Sequence, residues 1–184
     1  MTRWQRDRAV RLLADGGVIA YPTEGVWGLG CDPLKQAAVE RIYRIKGRPP
    51  EKGLILISHD AAALEPLLAP VEPAVWARVC ATWPGPVTWI LPARASAPRW
   101  LTGRRATIAA RITAHPVARA LCARFGRPIV STSANASGHR PALNALQVRL
   151  RLGRSVDDVV PGATGGRARP TPIYHALSGA RLRP

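Results

Sequence analysis

A chain of 184 residues, 47% of them apolar, is long enough to bury one full core and short for two, so a single domain over residues 1–184 is expected and wholesale disorder is excluded. Its 27 Lys and Arg stand against 11 Asp and Glu, a formal charge of +16 that points to a polyanionic partner. No apolar run is long enough to span a bilayer and the opening MTRWQRDRAV lacks the apolar core of a signal peptide, so a cytoplasmic location with no membrane partner is expected.

In chain order, Thr2 and Gln5 form a capping box ahead of a helix over Trp4–Asp15, and Gly16-Gly17 stop it before a strand over Val18–Tyr21. A second helix runs from about Gln36 to Lys46, with Ala38, Ile42 and Ile45 on one face, and Arg48-Pro49-Pro50 lead from it to an apolar strand, Leu54–Ile57. Helices are predicted over Ala61–Leu68 and Pro73–Thr82, and a strand over Val87–Leu91, held between the prolines of WPGPVTWILP. Ile108–Ile112 reads as a strand, Pro116 opens a helix ending near Phe125-Gly126, Ile129–Ser133 is a strand, and a helix over Asn144–Leu152 stops at Gly153. Short extended pieces close the chain. This alternation predicts an α/β fold, an open twisted sheet with helices on its faces, mixed because prolines and hairpin-like spacings do not suit a purely parallel core. In such sheets ligands gather where strands end and loops begin.

Charge alone assigns no site. Only Lys35, Lys46 and Lys52 are lysines, in a chain with 16 Gly and 18 Pro, and a GC-rich genome imposes that bias on neutral surface positions such as Arg6, Arg78, Arg119 and Arg149. Cys31, Cys80 and Cys122 are odd in number and far apart, without CxxC or His/Cys spacing for zinc; they read as reduced, half-buried filler, with no metal site.

Four segments place small or cationic residues just after a strand or helix. In YPTEGVWGLGCDP, Gly25, Gly28 and Gly30 either let backbone approach a ligand or form a turn joining strand to strand, and the spacing matches neither GxGxxG nor GxxxxGK[ST]. In IYRIKGRPPEKG, Lys46 and Arg48 flank Gly47 at a helix end, as a clamp for phosphate or carboxylate oxygens or as cations favoured by the helix dipole. In TIAARITAHP, Arg111 interrupts an apolar strand and faces a cleft, a buried partner or solvent, while His115 reads as a helix-start residue. In STSANASG, Ser131 and Ser133 share one strand face; Ser133, Asn135 and Ser137 either present polar groups to one ligand or form a capped, hydroxyl-rich loop. Downstream, PGATGGRARPTPIY adds a Gly-rich basic loop ending at Thr171.

Taken in order, YPTEGVWGLGCDP, KGRPPEKGLILI, WPGPVTWILP, STSANASG and PGATGGRARPTPI closely resemble the YrdC/TsaC family, the threonylcarbamoyl-AMP synthases, from about Gln5 to the C-terminus. The most specific part is Lys-x-Arg followed far downstream by Ser-x-Asn, met by Lys46, Arg48, Ser133 and Asn135. The resemblance implies a YrdC-like sheet around a positively charged cavity. It also implies condensation of L-threonine, bicarbonate and ATP into threonylcarbamoyl-AMP and pyrophosphate, for t6A formation at adenosine 37 of certain tRNAs. By the same resemblance ATP is held by Lys46, Arg48, Thr107, Ser133, Asn135 and Arg183, with Lys46 and Arg48 catalytic, and L-threonine by Thr23, Arg111, Ser131 and Thr171. The motif segments hold few carboxylates, Glu24, Asp32 and Glu51, so Mg²⁺ is expected to ride on ATP oxygens. Two-domain relatives carry a histidine near threonine in the strand after Lys-x-Arg, where this chain has Ile57, with His59 two residues on. The chain stops where those relatives continue, which resembles the short, single-domain type. The implied partner is a downstream threonylcarbamoyl transferase complex, with tRNA or RNA contact as a further expectation.

The rival from another class is a non-catalytic RNA-binding protein, for tRNA or double-stranded RNA, resting on the net charge and on exposed aromatics such as Trp4 or Trp100. Aromatics amount to 5% and form no RNP-like cluster, which ranks it second. A carbamoyl-transfer domain of the hydrogenase-maturation type normally comes with zinc-finger and acylphosphatase modules, and neither is present in this sequence.

Overall fold

The computed structural model describes residues 1–167 and 170–183; within the predicted basic loop, Ala168 and Arg169 lie outside the described residues. The capping box forms ahead of α1 (Arg3–Ala14): Thr2 N donates to Gln5 Oε1 at 2.7 Å and Gln5 N donates back to Thr2 Oγ1 at 3.3 Å. There follow β1 (Ile19–Pro22), β2 (Trp27–Gly30), α2 (Gln36–Lys46), β3 (Ile55–Ser58), α3 (Pro73–Cys80), β4 (Thr88–Pro92), α4 (Arg99–Thr102) and β5 (Thr107–Ile112). The chain continues with α5 (Pro116–Phe125), β6 (Ile129–Ser133), α6 (Ala145–Leu152), β7 (Asp158–Val159), β8 (Ile173–His175) and β9 (Arg181–Arg183).

The strands form one mixed sheet in the order β7-β1-β2-β6-β3-β5-β4-β8-β9, parallel at β1/β7, β3/β5 and β4/β8 and antiparallel elsewhere. Strand periodicity sorts its side chains onto two faces. Leu56, Trp89, Leu91, Ile108, Ala110 and Val130 point to one face, where α2, α3, α4 and α6 cover them with Val39, Ile42, Val79, Leu101 and Val148. On the other face, Ile19, Tyr21, Ile57 and Ile129 pack against Ala9 and Leu13 of α1 and Ala118, Leu121 and Cys122 of α5. Only part of that second face is covered in this way.

Two expectations change. The helix predicted over Ala61–Leu68 is a single 3-10 turn at Ala62–Leu64: Pro66 has no N–H to extend it, and the amides of Leu67 and Leu68 both donate to Leu64 O. Trp100 is half-buried, its Nε1 donating to Pro33 O at 3.0 Å, whereas Trp4 is exposed. Among the cysteines, Cys31 and Cys122 are buried and Cys80 is exposed. No helix among the described residues is long and apolar enough to cross a membrane.

The run Trp27-Gly28-Leu29-Gly30 is an interior strand, paired with β1 and β6. Its glycines make room for a neighbour. The Tyr21 ring crosses Gly30 and its hydroxyl donates to Val130 O at 3.2 Å; a Cβ on Gly30 would stand 2.7 Å from Tyr21 Cε1 and 2.7 Å from Val130 O. The carbonyl belongs to a paired strand and cannot step aside cheaply. Gly30→Ala is expected to lower the unfolding free energy by about 1–3 kcal/mol, read by urea denaturation.

Candidate active site

Where α1 and α5 leave the second face bare, the sheet floors a cavity of about 240 Å³ over the amino ends of β3 and β5. Eight of the ten residues singled out from the sequence line it: Thr23, Arg48, Thr107, Arg111, Ser131, Ser133, Thr171 and Arg183. Four of them, Thr107, Arg111, Ser131 and Ser133, lie on β5 and β6 at positions that share the face of Ile55, and Thr171 and Arg183 arrive from the last segments of the chain. The loop before Thr171 is pinned by Gly165 N, which donates to Thr23 O at 3.0 Å, and by a 3.0 Å contact between His115 Nε2 and Ala163 O.

Arg111 is buried and fully engaged on one side. Its Nη1 donates to Thr171 Oγ1 at 2.7 Å and its Nη2 lies 3.3 Å from Glu24 Oε2. Glu24 is itself fixed, since its Oε1 accepts from Thr113 Oγ1 at 2.7 Å and Ala114 N at 3.1 Å. Burial alone would raise the pKa of Glu24, but Arg111 and these donors hold it below the usual carboxylate value. The remaining cations are held by backbone carbonyls. Arg48 Nη2 donates to Gly53 O at 3.1 Å, and Arg183 donates to Thr171 O through Nη2 at 2.7 Å and Nε at 3.2 Å. Burial pushes the pKa of both guanidiniums down from the ordinary arginine value. Arg48 Nε and Arg111 Nε, both buried, have no partner among the described residues.

Lys46 and Asn135 do not reach the cavity wall. The Lys46 ammonium is buried under the Ser-x-Asn loop and donates to Ser133 O at 2.5 Å and Asn135 O at 2.8 Å, while Lys46 O accepts from Ser137 N at 2.7 Å. Asn135 in turn donates from Nδ2 to Ala136 O at 2.8 Å and His139 O at 2.7 Å. These residues hold the loop that carries Ser133. Ile57 lies in the core under α5, and His59, paired with Asp60 at 2.9 Å, is not among the cavity residues; among the described residues no histidine lines the cavity. Sequence reasoning missed Lys52 and Arg105, which also line the cavity. Arg105 stands two residues before Thr107, and the period of β5 was the signal that could have found it.

The Sua5/YciO/YrdC family model, described as "Telomere recombination", matches residues 11–182. The chain belongs to this family. A threonylcarbamoyl-AMP synthase of Halorhodospira halophila is 56% identical over 172 residues, covering 93% of this chain and 90% of the relative. One of Nitrosococcus oceani is 52% identical over 180 residues, covering 98% and 97%. Among solved structures, P. abyssi Sua5 complexed with L-threonine superposes with a TM-score of 0.90 at 31% identity, covering 95% of this chain and 52% of that one. This chain thus spans about half the length of that Sua5. E. coli YciO superposes with a TM-score of 0.84 at 28% identity, covering 99% and 88%.

Two outcomes follow from the charges in this YrdC-like domain. Burial, then the neighbouring Arg48, lowers the pKa of Lys46 from 10.5 to about 8. Between those values the unfolded chain binds the extra proton, so the contribution of Lys46 to stability rises as pH increases from about 8 to 10.5. The stability difference between wild type and Lys46→Met is therefore expected to move in favour of wild type by on the order of 1–3 kcal/mol between pH 7 and pH 10, read by urea denaturation. Glu24→Gln leaves Arg111 buried without a counter-charge and is expected to cost about 3 kcal/mol of stability at pH 7 in the same measurement.

Proposed function

We propose that this chain is an L-threonylcarbamoyladenylate synthase, a nucleotidyltransferase that works as a single YrdC-like domain over residues 1–184 in the cytoplasm. It condenses L-threonine, bicarbonate and ATP into threonylcarbamoyl-AMP and pyrophosphate for t6A37 modification of tRNA. One observation carries the reading: Arg48, Thr107, Ser133 and Arg183 meet Thr23, Arg111, Ser131 and Thr171 around one cavity, in a chain whose relatives named threonylcarbamoyl-AMP synthase match nearly end to end. The first four suit ATP and the second four L-threonine, and the L-threonine bound by P. abyssi Sua5 supports the second assignment.

The chemistry brings two anions together. Bicarbonate takes up a proton and loses water to give carbon dioxide; the ammonium of threonine loses one proton, its amine adds to the carbon dioxide and loses a second to give a carbamate, and a carbamate oxygen attacks the α-phosphorus of ATP. Repulsion between them is the first barrier, and the guanidiniums of Arg48, Arg111 and Arg183 lower it, with positioning and electrostatics supplying the catalysis. Arg48 touches ATP in this reading, and Lys46 and Asn135 act through the loop that presents Ser133. No Asp or Glu lines the cavity among the described residues, so Mg²⁺ would take its donors from ATP phosphates and water. The product is a mixed anhydride that water hydrolyses, which supports hand-over to a downstream threonylcarbamoyl transferase complex. The +16 charge supports a contact with tRNA or another RNA.

Purified protein given ATP, Mg²⁺, bicarbonate and L-threonine is expected to release pyrophosphate and form threonylcarbamoyl-AMP, identified by mass spectrometry, with no product when threonine is omitted. An absence of adenylate in the complete mixture overturns the reading. Arg48→Ala and Arg111→Ala are each expected to lower kcat/KM roughly a hundredfold.

A further inference from the structure

The cavity has two unlike ends. Arg48 at one has no carboxylate partner among the described residues, while Arg111 at the other, built from Thr23, Ser131 and Thr171, has Glu24 beside it. Three consecutive residues just past β5 bracket this second end. Thr113 and Ala114 hold Glu24, and His115 reaches across to the Gly-rich loop that precedes Thr171. His115 is buried and stands at the N-cap of α5, yet its side chain makes no capping bond. Its Nε2 instead meets Ala163 O at 3.0 Å, and because a carbonyl only accepts, Nε2 carries the proton. Nδ1 is buried as well and has no partner among the described residues, so this one bond is the whole polar engagement of the ring there.

The loop that His115 meets, residues 161–167, is otherwise tied by main chain: Gly165 N donates to Thr23 O at 3.0 Å and Arg167 N to Glu24 O at 3.3 Å. Among the described residues, the His115 bond is the only one that a side chain makes to it. The loop lies close on its support, since a Cβ on Gly165 would stand 2.9 Å from Glu24 O and one on Gly162 would stand 2.8 Å from Pro22 Cγ. From this loop the chain runs on to Thr171, whose Oγ1 accepts from Arg111 Nη1. We propose that His115 is a positioning residue: it touches no substrate, and it latches the loop through Ala163 O so that Thr23, Thr171 and Arg111 stand in place before L-threonine arrives. This rests on the synthase reading and goes beyond it by one residue. Without the latch the loop is in place for only a fraction of the time, and the apparent affinity for threonine falls by that fraction, whereas a molecule that has bound threonine reacts as before. Threonine binding therefore takes the loss, and turnover and ATP do not.

The test compares wild type, His115→Phe, which keeps a ring and removes the donor, and His115→Gln, which offers an N–H at similar reach. His115→Phe is expected to raise the KM for threonine, and its Kd from calorimetric titration, about fivefold, the scale of one hydrogen bond, with kcat and the KM for ATP within about twofold of wild type. His115→Gln is expected to recover most of the loss. Amide exchange over residues 161–167, followed by mass spectrometry, is expected to quicken in His115→Phe and to return in His115→Gln. Thermal unfolding checks that each variant folds, and His115→Ala takes the place of His115→Phe if the latter does not. The proposal is overturned if the KM and Kd for threonine stay at the wild-type value, if kcat falls or the KM for ATP rises in parallel, if His115→Gln recovers nothing, or if loop exchange is unchanged. Normal adenylate synthesis with an unmoved KM for threonine would overturn the latch and keep the synthase reading; loop exchange and threonine affinity that change as expected in a protein that makes no adenylate would keep the latch and overturn the synthase reading.

Discussion

Apart from Arg111, which is paired with Glu24, the positive charges in and beneath this cavity must stand close together without acids to neutralise them, because a carboxylate in the wall would compete with an anionic ligand. The chain meets that constraint with backbone carbonyls. Lys46 is held by Ser133 O and Asn135 O, Arg48 by Lys52 O and Gly53 O, and Arg183 by Thr171 O. A carbonyl satisfies a guanidinium or ammonium donor and fixes its direction while leaving the net charge in place. The ties of Lys46 and Arg183 also join separate parts of the chain, α2 to the loop after β6 and β9 to the segment before β8, so positioning these charges and closing the fold are one arrangement.

The sheet makes this affordable by treating its two faces differently. One face is covered by four helices; the other is packed by α1 and α5 only as far as Ile57 and Ile129. Two residues further along in β6, and two back in β3, the same rows become Ser131 and Ile55 at the cavity floor. A single period-2 pattern therefore runs from core into site without a break, and the rigidity of the packed end is passed to the open end through paired strands. Gly28 contributes by what it lacks: it lines the cavity with backbone alone, opposite Ser133 in the ladder.

Much of this was legible in the sequence where local rules and tertiary structure agree. The capping box at Thr2 and Gln5, the stop at Gly47, and the strand that carries Arg111 are all set by short-range physics, and the ordered motifs marked eight of the cavity residues. The failures share a cause. Gly25, Gly28 and Gly30 read either as a close approach to a ligand or as a turn, not as a strand, because glycine weakens a strand locally, and only the Tyr21 ring lying across Gly30 explains why glycine is there. Ala61–Leu68 has helical composition, and Pro66 ends the turn. Arg105 and Lys52 look like two more surface cations in an arginine-rich chain, and it is their convergence on Arg48 that distinguishes them. Lys46 is the reverse case: its motif marks it as a ligand contact, while its ammonium faces two carbonyls of its own chain.

The unequal neutralisation of the two ends suits two unlike ligands. An amino acid carries an ammonium beside its carboxylate, so a bare guanidinium would attract one group and repel the other. Glu24 removes most of that conflict: it cancels the net charge of Arg111 in a buried setting, where an unpaired charge would be costly, and leaves directional donors together with the hydroxyls of Thr23, Ser131 and Thr171. A triphosphate poses no such conflict, since every group along it is anionic, and it gains from each cation left without a partner. In the proposed reading the single carboxylate tied to Arg111, absent at Arg48, is what sorts the small zwitterion from the polyanion within one continuous cavity.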